Sequence, residues 1–121
     1  MNKICTSIEQ SQKLIKLGID ISTADMDYIQ FANDPKVYDC VINIYNNEHE
    51  DDWIPAWSLS ALLDILPNKQ GRGTKSLYWF DDGWHCDYID EDGASVCGLS
   101  ADSPIDAAFE MACWLKENKK I

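Results

Sequence analysis

The segment between Ile54 and Pro67 limits what this chain can fold into more than any other stretch of its sequence. Its leucines follow the spacing of one face of an α-helix, i, i+3, i+4 and i+7: Leu59, Leu62, Leu63 and Leu66. Proline is accepted in the first turn of a helix but disfavours helical geometry in the residue before it, so Pro55 marks the expected start and Pro67 the expected end. The pattern predicts a short amphipathic helix that packs in the core and carries no chemistry.

Polar residues near the N-terminus have the spacing of helix caps. Thr6 with Glu9 and Ser7 with Gln10 both match the capping box, in which side chains satisfy the free backbone donors at a helix start. Gly18 stands where a left-handed C-terminal cap is expected. These residues predict a first helix that begins at Thr6 or Ser7 and ends before Gly18.

The last helix has the clearest boundary signals. Ser103 is the expected N-cap, and Pro104 follows at the first helical position, where its missing N–H is tolerated. The apolar residues that follow predict one buried stripe: Ile105, Ala108, Phe109 and Ala112.

Two strands are predicted between the first helix and the proline-bounded segment, over residues 26–31 and 37–45. In the second, apolar residues recur at a period of two, which predicts one buried face. The residues expected on that face are Tyr38, Cys40, Ile42 and Ile44.

Three further strands are predicted, over residues 77–80, 84–89 and 94–99. Each connection ends in Asp-Gly, at residues 82–83 and 92–93, a pair that tolerates the positive φ angles of tight turns. The arrangement predicts an antiparallel meander, preceded by a polar, glycine-containing loop over residues 68–75.

Taken together, these elements predict an α+β protein in which helices pack on a mainly antiparallel sheet. The predicted order is α-β-β-α-β-β-β-α. The chain has 121 residues, an ordinary length for one domain, and its sequence contains no linker or repeat, so we expect a single domain over residues 1–121.

The charge of the chain excludes some partners. It has 21 acidic and 10 basic residues and a net charge of −11, so direct binding to a nucleic-acid backbone is not expected. No apolar run is long enough to cross a membrane, and the N-terminus lacks the apolar region of a signal peptide. We therefore expect a cytoplasmic protein whose five cysteines, which include no C-x-x-C pair, are reduced thiols.

No set of residues has the spacing of a catalytic, cofactor or metal site. His49 lies in an acidic run and is expected to be a solvated loop residue, and His85 and Cys86 are adjacent on a strand and so point to opposite faces. The turns at Asp82 and Asp92 fall at opposite ends of the predicted sheet, about 20 Å apart, too far for a two-carboxylate mechanism. We predict no catalytic residues, no cofactor and no metal.

Several segments, in this order, carry a resemblance to a known group of proteins: TSIEQS at residues 6–11, LG at 17–18, STADM at 22–26, PAWSL at 55–59, SPIDAA at 103–108 and WL at 114–115. In these segments the chain resembles a group of small uncharacterised proteins encoded by gut-bacterial phages and integrated mobile elements. The shared segments are helix caps and packing positions. The resemblance implies an intracellular accessory protein, and it implies no reaction.

The tryptophans offer the best candidate for a binding surface. Trp53 and Trp57 flank a proline, and Trp53 directly follows Asp51 and Asp52. Tryptophan is enriched among the residues that dominate protein interfaces. We therefore predict that Asp51, Asp52, Trp53 and Trp57 bind a partner, which we expect to be another protein.

Two functional hypotheses remain open. The first is a non-enzymatic interaction or accessory module that binds another protein through an aromatic patch with an acidic rim. The alternative is an acidic mimic of nucleic acid that inhibits a host DNA-handling or defence enzyme, and it requires carboxylates along one face at phosphate-like spacing. A small enzyme of unknown class would need a pocket with convergent polar groups, which nothing in the sequence predicts.

Overall fold

The computed structural model describes residues 3–31 and 34–121 and confirms the α+β class with antiparallel strands. Of residues 31 and 34–37 it describes only the backbone. The elements follow the predicted order, and one additional short strand lies on each side of the proline-bounded helix. In chain order they are α1 (Ile8–Lys16), a short 3₁₀ helix (Ile21–Thr23), β1 (Met26–Phe31), β2 (Asp34–Ile42), β3 (Ile54–Ala56), α2 (Leu59–Ile65), β4 (Lys69–Gln70), β5 (Gly73–Phe80), β6 (Gly83–Ile89), β7 (Ser95–Ala101) and α3 (Pro104–Glu117).

The contacts of the chain group it into two units, Met1–Ala61 and Leu62–Ile121. The first unit contains α1 and the strands β1 to β3, and the second contains β4 to β7 and α3. The helix α2 begins in the first unit and ends in the second. The single domain predicted over residues 1–121 stays a prediction.

A three-stranded antiparallel sheet, in the order β2-β1-β3, forms the centre of the first unit. As predicted, α1 begins with a capping box: the Ser7 hydroxyl accepts from the Gln10 N–H at 3.1 Å, and the Gln10 side chain accepts from the Ser7 N–H at 2.9 Å. The helix ends before Gly18, whose φ of 92° provides the left-handed cap.

The prediction of one buried face along residues 37–45 is wrong at its C-terminal end. Cys40 packs against an apolar cluster that includes Cys5 and Met26, but Ile42 is 72% exposed and Ile44 is 78% exposed. The sheet is only three strands wide and β2 lies at its edge, so the cluster covers Cys40 and leaves the end of the strand uncovered.

The proline-bounded helix is confirmed, but its first proline is not part of it. α2 begins at Leu59, where the Ser58 hydroxyl accepts from the Ala61 N–H at 3.2 Å, and it ends before Pro67 as predicted. Pro55 instead lies in β3 and pairs with β1. Because β3 is an edge strand, it tolerates a residue that has no N–H to donate.

The second unit contains the predicted meander within a four-stranded antiparallel sheet, in the order β4-β5-β6-β7. α3 packs on β5, β6 and β7. Its start is confirmed, because the Ser103 hydroxyl accepts from the Asp106 N–H at 3.1 Å. The predicted stripe of the helix is buried: Ile105, Ala108, Phe109 and Ala112.

Residues 68–75, predicted as a loop, contain a tight hairpin. β4 pairs with the start of β5 across Gly71, whose φ is 56°. Glycine adopts such a left-handed conformation at no steric cost, which lets the chain reverse here.

Gly73→Ala is expected to lower the free energy of unfolding by about 1–3 kcal/mol. A Cβ atom at residue 73 would lie 2.8 Å from both the carbonyl carbon and the Cβ of Tyr88, and the backbone of the interior strand β6 cannot move away. Chemical denaturation followed by circular dichroism measures the change. In Gly83→Ala the new Cβ would meet nothing closer than 3.8 Å, so an equal loss in that variant would contradict the steric explanation.

Candidate functional site

The four residues predicted to bind a partner do not lie together on the surface. Asp51 and Asp52 are exposed in the turn before β3, and Trp53 is half-buried. Trp57, in contrast, has no exposed surface. The structure therefore places the first three at the surface and separates Trp57 from them.

Trp57 is a core residue, which corrects its place in the predicted site. Its indole Nε1–H donates to the Thr23 hydroxyl at 2.9 Å, which satisfies the polar atom of the buried ring. Its backbone N–H donates to the Thr6 hydroxyl at 3.1 Å, and its carbonyl oxygen accepts from the Thr6 N–H at 2.9 Å. Trp57 thus links the segment before α1 to the end of β3 by hydrogen bonds. Because its side chain is fully buried, it cannot contact a partner.

An exposed apolar surface surrounds Trp53, and we call it the Trp53 patch: Ile42, Ile44, Tyr45 and Trp53. The first three of these side chains are 72%, 78% and 57% exposed. The rings of Tyr45 and Trp53 lie with their centroids 6.0 Å apart at an angle of 30°. The four side chains border a shallow depression of about 290 Å³. Adjacent exposed apolar side chains of this size are typical of interaction surfaces.

Four exposed carboxylates accompany the patch, and we call them the acidic rim: Glu48, Glu50, Asp51 and Asp52. All four belong to the segment that connects Tyr45 to Trp53. This segment contains no lysine or arginine. The segment next to the patch in the chain is therefore acidic.

Asn43 holds the segment between β2 and β3 in place. Its Oδ1 accepts from the Tyr45 N–H at 2.7 Å and from the Asn47 N–H at 3.1 Å. Its Nδ2 donates to the Glu48 carbonyl oxygen at 2.8 Å and to Asp27 Oδ2 at 2.7 Å. The residues of the patch and the rim are therefore ordered by hydrogen bonds that reach β1.

His49 and Asp27 form a buried pair that also supports this segment. Their side chains are 2% and 1% exposed, and the His49 Nδ1 atom contacts the Asp27 carboxylate. The His49 Nε2 atom lies 2.9 Å from the Ile21 carbonyl oxygen. Both ring nitrogens therefore have an oxygen atom as a neighbour. Both nitrogens are engaged, so the ring is not placed to accept a proton from a substrate.

The prediction that His49 is a solvated loop residue is wrong. Its partner Asp27 is 22 positions away along the chain, so no local spacing connects them. One sequence signal does point to order in this segment: Asn43, Asn46 and Asn47 lie within five residues, and asparagine favours turns stabilised by its own side chain.

In the second unit, several polar groups satisfy one another. The Tyr78 hydroxyl donates to Asp87 Oδ2 at 2.6 Å, and this hydrogen bond raises the pKa of Tyr78. Burial raises the pKa of the Cys86 thiol to about 11, which makes it a poor nucleophile at neutral pH. The turns that carry Asp82 and Asp92 lie at opposite ends of β6, as predicted.

Among the described side chains, no group of three or more His, Cys, Asp or Glu residues could hold a metal ion. Within residues 3–31 and 34–121, no helix is both long and apolar enough to cross a membrane. No protein-family model, curated protein or solved structure matches this chain. A functional proposal therefore rests on the chemistry of the surface.

Proposed function

We propose that this protein is a non-enzymatic interaction module, which binds another protein through the Trp53 patch and its acidic rim. The observation that carries the proposal is the exposure of Ile42, Ile44 and Tyr45 on an ordered segment beside Trp53. The resemblance in sequence supports an accessory role for a phage or mobile element. Five cysteine thiols suit the reducing cytoplasm.

The segment between β2 and β3 is held in one conformation, which favours binding. A partner that docks on a preformed surface loses little conformational entropy, and Asn43 and the His49–Asp27 pair preform this one. The patch also lies at the end of β2, which among the described strands pairs only with β1. An edge strand with exposed apolar side chains promotes aggregation unless it is covered. A bound partner would cover it.

The charges indicate a basic partner. Protein interfaces combine an apolar centre with a polar border, which is the arrangement of the Trp53 patch and the acidic rim. Carboxylates at the border attract lysine and arginine side chains and repel acidic ones, so they select the partner. The partner we propose presents an apolar residue surrounded by lysine or arginine.

The alternative function, a mimic of nucleic acid, is less well supported by the placement of the acidic residues. A mimic needs carboxylates in a row along one face. The acidic turns of the second unit lie instead at opposite ends of β6. Exposed apolar side chains such as Ile42 and Ile44 also do not resemble a phosphate backbone.

Affinity capture from a cell lysate, with the wild type and Ile44→Asp as paired baits, tests the proposal. A charge at the centre of the patch should release a partner that the wild type retains. Trp79→Ala removes an exposed ring of the second unit and should retain the partner, which makes it the matched control. The partner is expected to be basic and to stay bound at high salt, because apolar contacts persist when charges are screened.

Two outcomes would contradict the proposal. Capture of the same proteins by the wild type and by Ile44→Asp would show that the patch does not bind. A basic nucleic-acid enzyme that both baits retain only at low salt would favour the mimic instead.

A further inference from the structure

Two thiols meet in the first unit, outside the Trp53 patch. Cys5 precedes α1 and Cys40 lies in β2, 35 positions away, yet their Sγ atoms are 2.6 Å apart. The hydroxyl oxygen of Tyr28, which is opposite Cys40 in β1, lies 3.4 Å from the Cys5 Sγ atom. The same hydroxyl donates to the Thr6 carbonyl oxygen at 2.8 Å, which holds the segment that carries Cys5 against the sheet.

A small molecule can reach one of the two sulfurs directly. Cys5 is 2% exposed, whereas Cys40 is half-buried. Cys40 lines an open groove of about 700 Å³, together with Ile4 and Ile42. A reagent that enters this groove meets the sulfur of Cys40 while that sulfur is in contact with Cys5.

The two thiols differ in pKa. The hydrogen bond from Cys40 lowers the pKa of Cys5 to about 7. The same hydrogen bond, together with burial, raises the pKa of Cys40. At neutral pH a large fraction of Cys5 is therefore a thiolate, which is the form that reacts in thiol–disulfide exchange.

We propose that Cys5 and Cys40 form a reversible disulfide when the protein meets a small disulfide such as oxidised glutathione. A disulfide requires two sulfurs that can approach to about 2.05 Å, and these two already touch. Disulfides of cytoplasmic proteins, where they occur, are usually transient and sense the redox state. The formation of this disulfide does not depend on the binding function proposed above, although its groove shares Ile42 with the Trp53 patch.

The exchange balances in two steps. The Cys40 thiol passes its proton to the Cys5 thiolate and attacks one sulfur of oxidised glutathione, which forms a mixed disulfide on Cys40 and releases one glutathione thiolate. That glutathione thiolate takes the proton from Cys5. The second protein sulfur, now a thiolate, attacks the protein sulfur of the mixed disulfide and releases the other glutathione, which takes a proton from water. The protein loses two electrons, and one oxidised glutathione becomes two molecules of glutathione.

The disulfide would join two segments that line the same groove. Ile4 is adjacent to Cys5, and Val41 and Ile42 follow Cys40. The covalent bond would fix these residues relative to one another, so oxidation would make the groove more rigid.

The other cysteines are less suited to this reaction. Cys86 and Cys113 are buried, and burial raises the pKa of Cys86 to about 11. Cys97 is half-buried in β7, and burial raises its pKa as well. Cys97 therefore serves as a control, because it is an accessible thiol that lacks the activation of Cys5.

The test exposes the full chain to oxidised glutathione, alkylates the remaining thiols and measures the mass of the protein. The wild type is expected to lose two of its five thiols, with the peptides of Cys5 and Cys40 linked, and dithiothreitol should restore both. Cys40→Ser should keep all of its thiols, whereas Cys97→Ser should still lose two. Circular dichroism checks that both variants are folded.

Three results would overturn the proposal: a wild type that keeps five thiols, a link between other cysteines, or a stable glutathione adduct on Cys40 with Cys5 still a thiol. The linked peptides are identified in the wild-type protein, so these results do not depend on whether the variants fold.

Discussion

Trp57→Ala is expected to lower the free energy of unfolding by about 3–5 kcal/mol, more than any other tryptophan substitution in this chain. The ring is fully buried, so its truncation leaves a large cavity in the core. The substitution also leaves the Thr23 hydroxyl without the indole N–H that it accepts. Urea denaturation followed by circular dichroism measures the loss.

Trp53→Ala is the matched control for this prediction. The Trp53 ring is half-buried and lies beside the exposed Tyr45 ring, so its truncation should cost about 1 kcal/mol or less. Equal losses in the two variants would contradict the assignment of Trp57 to the core and of Trp53 to the surface.

Asp27→Ala is expected to lower the free energy of unfolding by about 2–5 kcal/mol, because two buried or partly buried polar groups each lose their acceptor. The Asp27 carboxylate faces the His49 ring with one oxygen and accepts from Asn43 at 2.7 Å with the other. Alanine would leave the His49 ring and the Asn43 amide without this acceptor. Urea denaturation at neutral pH measures the effect.

A double-mutant cycle distinguishes the interaction of the pair from the separate cost of each substitution. The variant that combines Asp27→Ala with His49→Ala should lose less stability than the two single variants added together, by about 1–3 kcal/mol. Additive losses would mean that the two side chains do not interact in solution. The segment between β2 and β3 would then need another source of order.

The sequence was sufficient for elements whose signals lie within a few residues of one another. Ser7 with Gln10 and Ser103 with Asp106 cap their helices as predicted, because a cap is a hydrogen bond between residues three positions apart. The meander was predicted for the same reason. The second turn of the meander contains Gly93, whose φ is 81°. Glycine adopts such a positive φ more easily than a residue with a side chain.

Features that depend on distant residues could not be predicted in this way. The alternation along β2 identifies a face, but whether Ile42 and Ile44 are covered depends on the width of the sheet. The burial of His49 depends on Asp27, which lies in another strand. Position in the sequence suggests Trp53 and the acidic residues before it as candidates for binding, and that role stays a prediction. The alternation along β2 instead assigns Ile42 and Ile44 of the patch to the core, where the structure does not place them.

Calorimetric titration of the captured, purified partner tests the binding surface most directly. The wild type and Trp79→Ala should bind with equal affinity, Trp53→Ala should bind more weakly by about 2 kcal/mol, roughly 30-fold, and Ile44→Asp should show no measurable binding. Binding of the same strength by all four proteins would contradict the assignment of the Trp53 patch as the partner site.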